Sequence, residues 1–121
     1  MSSFRFESLE IWRFAIDISD RLFDIADLLI EKKKFKFAEQ LDSAALSITN
    51  NIAEGSGSFS DKDFANFLNI SRRSLFECAN IIAILEMRMF ISAEKKAVFY
   101  EDLDHLSSMI TNFRKTLLRG K

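Results

Sequence analysis

The chain has 121 residues, enough for one domain, and 48% of them are apolar, ample for a packed core. Seventeen basic and 18 acidic residues leave a net charge of -1, which argues against a general electrostatic binder of nucleic acid or membrane while leaving local patches open. A single cysteine, Cys78, excludes an internal disulfide. It fits a cytoplasmic setting, as do a start without the basic-then-apolar pattern of a secretion signal and the lack of any uncharged stretch near the ~20 residues of a membrane span.

With no proline, three glycines that all follow residue 54, and 13 phenylalanines to fill interfaces, the pattern predicts long helices. The first covers about 8–31. Its polar face is Glu10, Arg13, Asp17, Asp20, Asp24, Asp27 and Glu31, six of the seven acidic. One apolar stripe, Leu9, Trp12, Ile16, Phe23, Ala26 and Ile30, reads as core seam, widened by Ala15, Leu22 and Leu29. A further stripe continues round the wheel: Ile11, Phe14, Ile18, Ile25 and Leu28, interrupted by Arg21. At 100° per residue the apolar arc spans roughly 220°, about twice what an isolated bundle needs. Large side chains left in water cost about 1.5–3 kcal/mol each relative to burial, so this outer stripe is expected to be a self-association surface. A central helix in an unusual monomer, or a different partner protein, are the alternatives.

A charged link, Lys32, Lys33, Lys34, Phe35 and Lys36, leads into the second helix, about 37–54, whose core stripe is Leu41, Ala45, Ile48 and Ile52. Gly55 stands where a left-handed residue would end that helix. Ser60 and Asp63 form a capping pair for the third helix, about 60–89, with Phe64, Phe67, Ser71, Leu75, Cys78, Ile82, Leu85 and Met89 as its core stripe. Ser92 is the expected N-cap of the fourth helix, about 92–118, with Phe99, Leu103, Leu106, Ile110, Phe113 and Leu117 facing inward. Short connections predict an all-α, antiparallel, up-down-up-down four-helix bundle occupying the whole of 1–121.

Gln40-Leu41, Ala44-Ala45, Ser47-Ile48, the run Asn51-Ile52-Ala53-Glu54-Gly55, and Phe64, Phe67-Leu68 and Ser74-Leu75-Phe76-Glu77 together resemble the 23S rRNA intervening-sequence protein family. The likeness extends from about Phe6 to Leu118. It implies an antiparallel four-helix bundle whose structural relatives assemble into pentameric rings. One branch resembles accessory subunits of diversity-generating retroelements, which pair with a reverse transcriptase and contact nucleic acid. The family's ribosomal label reflects gene location. Many members carry basic residues after the Gln-Leu pair, where this chain has Asp42 and Ser43, and often a proline at the position of Thr49. The first departure, with the acidic face of the first helix, weakens the implied RNA binding.

Physically, Asn51 to Gly55 reads as a structural device. Asn51 and Glu54 share one side of the last turn, and Glu54 can pair with Arg72 or Arg73 or satisfy N–H groups at the start of the third helix. A ligand or partner site is the alternative. Glu77, in an apolar stretch, would need an ionic partner if buried.

Other constellations are thin. His105, with Glu101 and Asp102 nearby in sequence, supplies one histidine-bearing motif where a di-iron bundle needs two, so no metal or cofactor is expected. Cys78 reads as buried filler, and Gly55-Ser56-Gly57-Ser58 lacks the lysine of a phosphate loop. Neither an enzyme nor a small-molecule substrate is expected. The basic residues Lys32, Lys33, Lys34, Lys36, Arg72, Arg73, Arg114 and Lys115, with Arg119 and Lys121 beyond them, are either solvated charge and helix counter-charge or an RNA patch. Phe35 and Phe37 interleave with the lysines and either stack on bases or anchor the link. The expected protein is a non-catalytic homo-oligomer, a pentamer on the resemblance, presenting a repeated surface to RNA or a ribonucleoprotein. A protein-only scaffold is the rival, and no membrane partner is expected.

Overall fold

A computed structural model describes residues 4–119. A short 3-10 turn, Arg5–Ser8, precedes four α-helices: α1 Glu10–Glu31, α2 Phe35–Ser56, α3 Asp61–Met87 and α4 Ala93–Arg119. Among the described residues there is no strand. No helix in this range is long and apolar enough to cross a membrane. Each helix packs on two others, in the order α1–α2–α3–α4 and back to α1.

Small polar residues draw the helices together. The buried Ser19 hydroxyl donates to the Ala45 carbonyl at 3.3 Å, tying α1 to α2, and Ser71 donates to Ile48 O at 2.8 Å, tying α3 to α2. Along α3 and α4, Tyr100 Oη donates to Ala79 O (3.3 Å), Arg72 Nε to Ser107 Oγ (3.1 Å) and Arg114 Nε to Ala65 O (3.0 Å). These three bonds hold one register over most of the pair. The interior between them is filled by Leu41, Ile48, Ile52, Leu68, Cys78, Ile82, Leu106 and Ile110, all fully buried.

The expected caps are present. Ser60 Oγ accepts from Asp63 N–H at 3.1 Å, and Ser92 Oγ accepts from Lys95 N–H at 3.0 Å. A serine cap is worth about 1 kcal/mol over alanine. The ends of α1 and α3 share one closure that the sequence did not announce. Lys34 N–H reaches back to Leu29 O and Lys33 N–H to Ile30 O; Phe90 and Met89 repeat this onto Leu85 and Glu86. The residue at the turn is left-handed in both, Lys33 at φ 62° and Met89 at φ 67°. Such positions favour glycine, because a Cβ there meets backbone. Met89 was expected in the core of the third helix; the reversal after Met87 instead leaves it 88% exposed.

Two further expectations change. Gly55 does not end α2 in a left-handed conformation: the helix continues to Ser56 and no glycine among the described residues has positive φ. Its role is close approach, since an added Cβ would lie 2.7 Å from both Phe64 Cδ1 and Phe67 Cβ. The second helix also begins earlier than expected, at Phe35.

The orientation of α1 is the larger correction. Its acidic face is solvent-exposed as read, but Ile11, Ile18 and Ile25, assigned to an outer interface, are buried in the subunit's own core at 5%, 0% and 4% exposure. The buried strip centres on Ala15, Leu22 and Leu29, the residues taken as mere widening. The two margins of the apolar arc overhang on either side of it. Toward α2, on the side of Ser19, lie Trp12, Ile16, Phe23 and Ile30; Ile16 and Ile30 are exposed. Toward α4 lie Phe14, Arg21 and the exposed Leu28. An arc wider than one seam must be centred on its midline, opposite the polar face, and that direction points at Leu22.

Candidate functional site

The residues singled out from the sequence fall into three groups, the second of them dispersed over the molecule. The flank between α2 and α3 holds the run Asn51, Ile52, Ala53, Glu54 and Gly55 together with Glu77. Asn51 Nδ2 donates to Ser47 O (2.7 Å) and Ser47 Oγ (3.0 Å), and the Ser47 and Ser74 hydroxyls meet at 2.6 Å. Ser74 Oγ also bonds Ile70 O at 3.1 Å. Asn51 thus closes a relay of hydroxyls across the two helices. Ile52 is fully buried, Ala53 half-buried, and Gly55 admits the two phenylalanines of α3. Glu54 and Glu77 are exposed and have no ion-pair partner among the described residues. The expected pairing of Glu54 with Arg72 is replaced by another: Arg72 turns to the opposite flank, bonding Ser107 and lying 4.8 Å over the Phe76 ring. Arg73 is exposed and does not bind Glu54 either.

The basic candidates do not form one surface. Lys32, Lys33, Lys34 and Lys36 gather at the end of the bundle where the α1–α2 and α3–α4 connections meet. Phe37 and Phe90 pack there with centroids 6.3 Å apart, and Lys34 Nζ lies 5.5 Å over the Phe90 ring. Phe35 is 60% exposed beside them. Arg72 lies midway along the α3–α4 seam, against Ser107 and the Phe76 ring, which with Ala79 and Tyr100 help line a cleft of about 150 Å³. Arg114 is half-buried and spent on Ala65 O, and Lys115 belongs to the other end, near Leu118 and Arg119. Lys121 lies outside the described residues.

The third group lies along the seam of α1 with its neighbours. Arg21, read as an interruption, bridges to Asp102 at 2.7 Å and Asp17 at 3.2 Å while lying 5.5 Å from the Phe99 ring centroid. A cation set among apolar residues on one helix and a carboxylate beside a core leucine on another was the signal that would have matched these seams. His105 packs its ring on Phe14 at 5.2 Å and is exposed, and no group of three metal-ligating side chains gathers among the described residues.

Two titrating groups are displaced. Burial, then the charge of Glu77, pushes the Cys78 thiol up to about 12, so the fully buried sulfur stays protonated and is no nucleophile near neutral pH. Burial, then the Asp27 carboxylate, raises Asp42 above its ordinary value.

A family model described as 23S rRNA-intervening sequence protein matches residues 7–112. In fold, the chain is similar to a protein of unknown function from the S23 ribosomal protein family of Bacteroides thetaiotaomicron. The two share 22% identity over 88% of this chain and 99% of that one, with a TM-score of 0.82. No curated protein matches in sequence.

Proposed function

The chain belongs to the 23S rRNA-intervening sequence protein family, and on that premise we propose a non-catalytic, cytoplasmic, antiparallel bundle that self-associates to present a repeated surface to RNA or a ribonucleoprotein. The register of the α3–α4 bonds supports the antiparallel arrangement. Family resemblance supports a pentamer. The observation that carries the RNA reading is the loop end, where four lysines stand against one glutamate in residues 31–36 beside an exposed aromatic ring. Repetition in an oligomer multiplies a weak site by avidity.

Self-association would use the margin of α1 that overhangs toward α2. Ile16, Ile30 and Leu46 are 39%, 45% and 47% exposed, with Phe23 half-buried between. A protein-only scaffold is favoured by a different observation, the solvent-facing carboxylates of Glu10, Asp17, Asp20, Asp24, Asp27 and Glu31, which repel phosphate. No cofactor, metal or small-molecule substrate enters either reading.

Salt-titrated binding to a structured RNA separates the two. Under the RNA reading, affinity falls steeply between 50 and 200 mM salt, by about 10³-fold for six phosphate contacts. No binding at low salt would leave the scaffold reading.

A further inference from the structure

We infer that the loop end is a single-strand RNA platform in which Phe35 stacks on a base while Lys32, Lys33 and Lys36 hold the flanking phosphates. The inference rests on the RNA reading above for the kind of strand and adds where and in what form it is held.

Four observations converge. The Phe35 ring is 60% exposed, although its neighbour Phe37 packs inward on Phe90 and anchors the connection. Anchoring therefore accounts for Phe37, whereas most of the Phe35 ring is left in water. Lys34 is engaged over Phe90, whereas Lys32, Lys33 and Lys36 are exposed and have no carboxylate partner among the described residues. Helix counter-charge accounts for Lys32 and Lys33 at the end of α1 but not for Lys36. Positive charge is favourable after the end of α1, but the same lysines adjoin the start of α2, and Lys36 lies in its first turn, where positive charge is unfavourable. Lastly, Lys33 occupies a left-handed position where glycine would be easier, so the backbone tolerates strain while a long cationic side chain projects from the loop.

The combination selects the ligand. Lysines at successive positions track a phosphate backbone, and an exposed ring offers its face to an unpaired base; in a duplex the base faces are already stacked and hidden. Arg88, exposed at the end of α3 on the neighbouring connection, adds a further cation to this end of the bundle.

The test compares an unstructured oligouridine with a blunt RNA duplex, using full-length protein, its F35A variant and the triple variant K32A/K33A/K36A. These side chains are exposed, and circular dichroism confirms that each variant folds. The expected result is preference for the single strand, about tenfold weaker binding by F35A, and for the triple variant a salt slope shallower by about 2. Single-strand binding unchanged in both variants overturns the platform while leaving RNA binding intact elsewhere on the molecule. Equal binding of duplex and single strand, with F35A unaffected, overturns the stacking role. No RNA bound by the unaltered protein at low salt overturns the platform and the RNA reading together.

Discussion

Gly55 shows how a residue can be conspicuous in sequence for one reason and matter for another. A glycine after an apolar helix suggests a left-handed stop, yet here it lies inside α2 against Phe64 and Phe67. Gly55→Ala is expected to lower stability by about 1–2 kcal/mol, because Phe67 Cβ is fixed to backbone and α2 must move away; alanine's better helix propensity offsets only part of this. Gly57→Ala, whose nearest atom would be Glu54 O at 3.5 Å, should change little. Urea midpoints decide, and a Gly55→Ala protein as stable as its parent would refute the close-approach role. The left-handed positions went instead to Lys33 and Met89, which no propensity scale would choose. A second residue-scale consequence concerns Asp42. Its folded-state proton affinity is raised by burial and by Asp27, so the charged form destabilises the fold at neutral pH, and that penalty disappears as pH falls through the carboxylate range. Asp42→Asn should therefore melt higher than the parent at pH 7, with the difference vanishing near pH 3. An equal difference at both pH values would mean that packing, not charge, is responsible.

At the scale of the element, α1 was visible as a helix and its acidic face was placed correctly, but the side facing inward was not. Periodicity weights Trp12, Ile16, Phe23 and Ile30 as heavily as Ile11, Ile18 and Ile25, although the midline of the whole apolar arc already points at Leu22. Partner helices break the tie: Ser19 fits against Ala45, and Arg21 meets Asp102. Ile18→Glu should accordingly unfold the subunit, since an unpaired carboxylate would replace a fully buried side chain. Ile16→Glu should keep the helical signal and the melting temperature within a few degrees, yet shift solution mass by light scattering toward the single chain. Retained mass in the Ile16 variant, with unfolding in the Ile18 variant, would leave the subunit packing standing and remove the α2-side margin as the association surface. The helix ends were legible wherever a side chain caps them, at Ser60 and Ser92. They were missed at Phe35, where no side chain caps α2, and at Met87, where backbone closure sets the limit.

For the whole molecule, a net charge of -1 conceals strong segregation: carboxylates along the outer face of α1, lysines at the loop end, and arginines drawn into the α3–α4 seam. Of eight basic residues grouped from sequence, the fold leaves one cluster of four together and disperses the rest. Arg72 and Arg114 are engaged in holding helices, so the surface available to an anion is smaller and more local than composition implies.

Four helices, their polar faces, two serine caps and the family itself were determined by the chain alone, because periodicity and capping depend on residues within a few positions of one another. Which neighbour each margin of α1 faces, why Gly55 is small, and which cations remain free were decided only by tertiary structure. Each depends on a neighbouring helix brought close by folding, and no spacing within one helix encodes which neighbour will lie against each side of it.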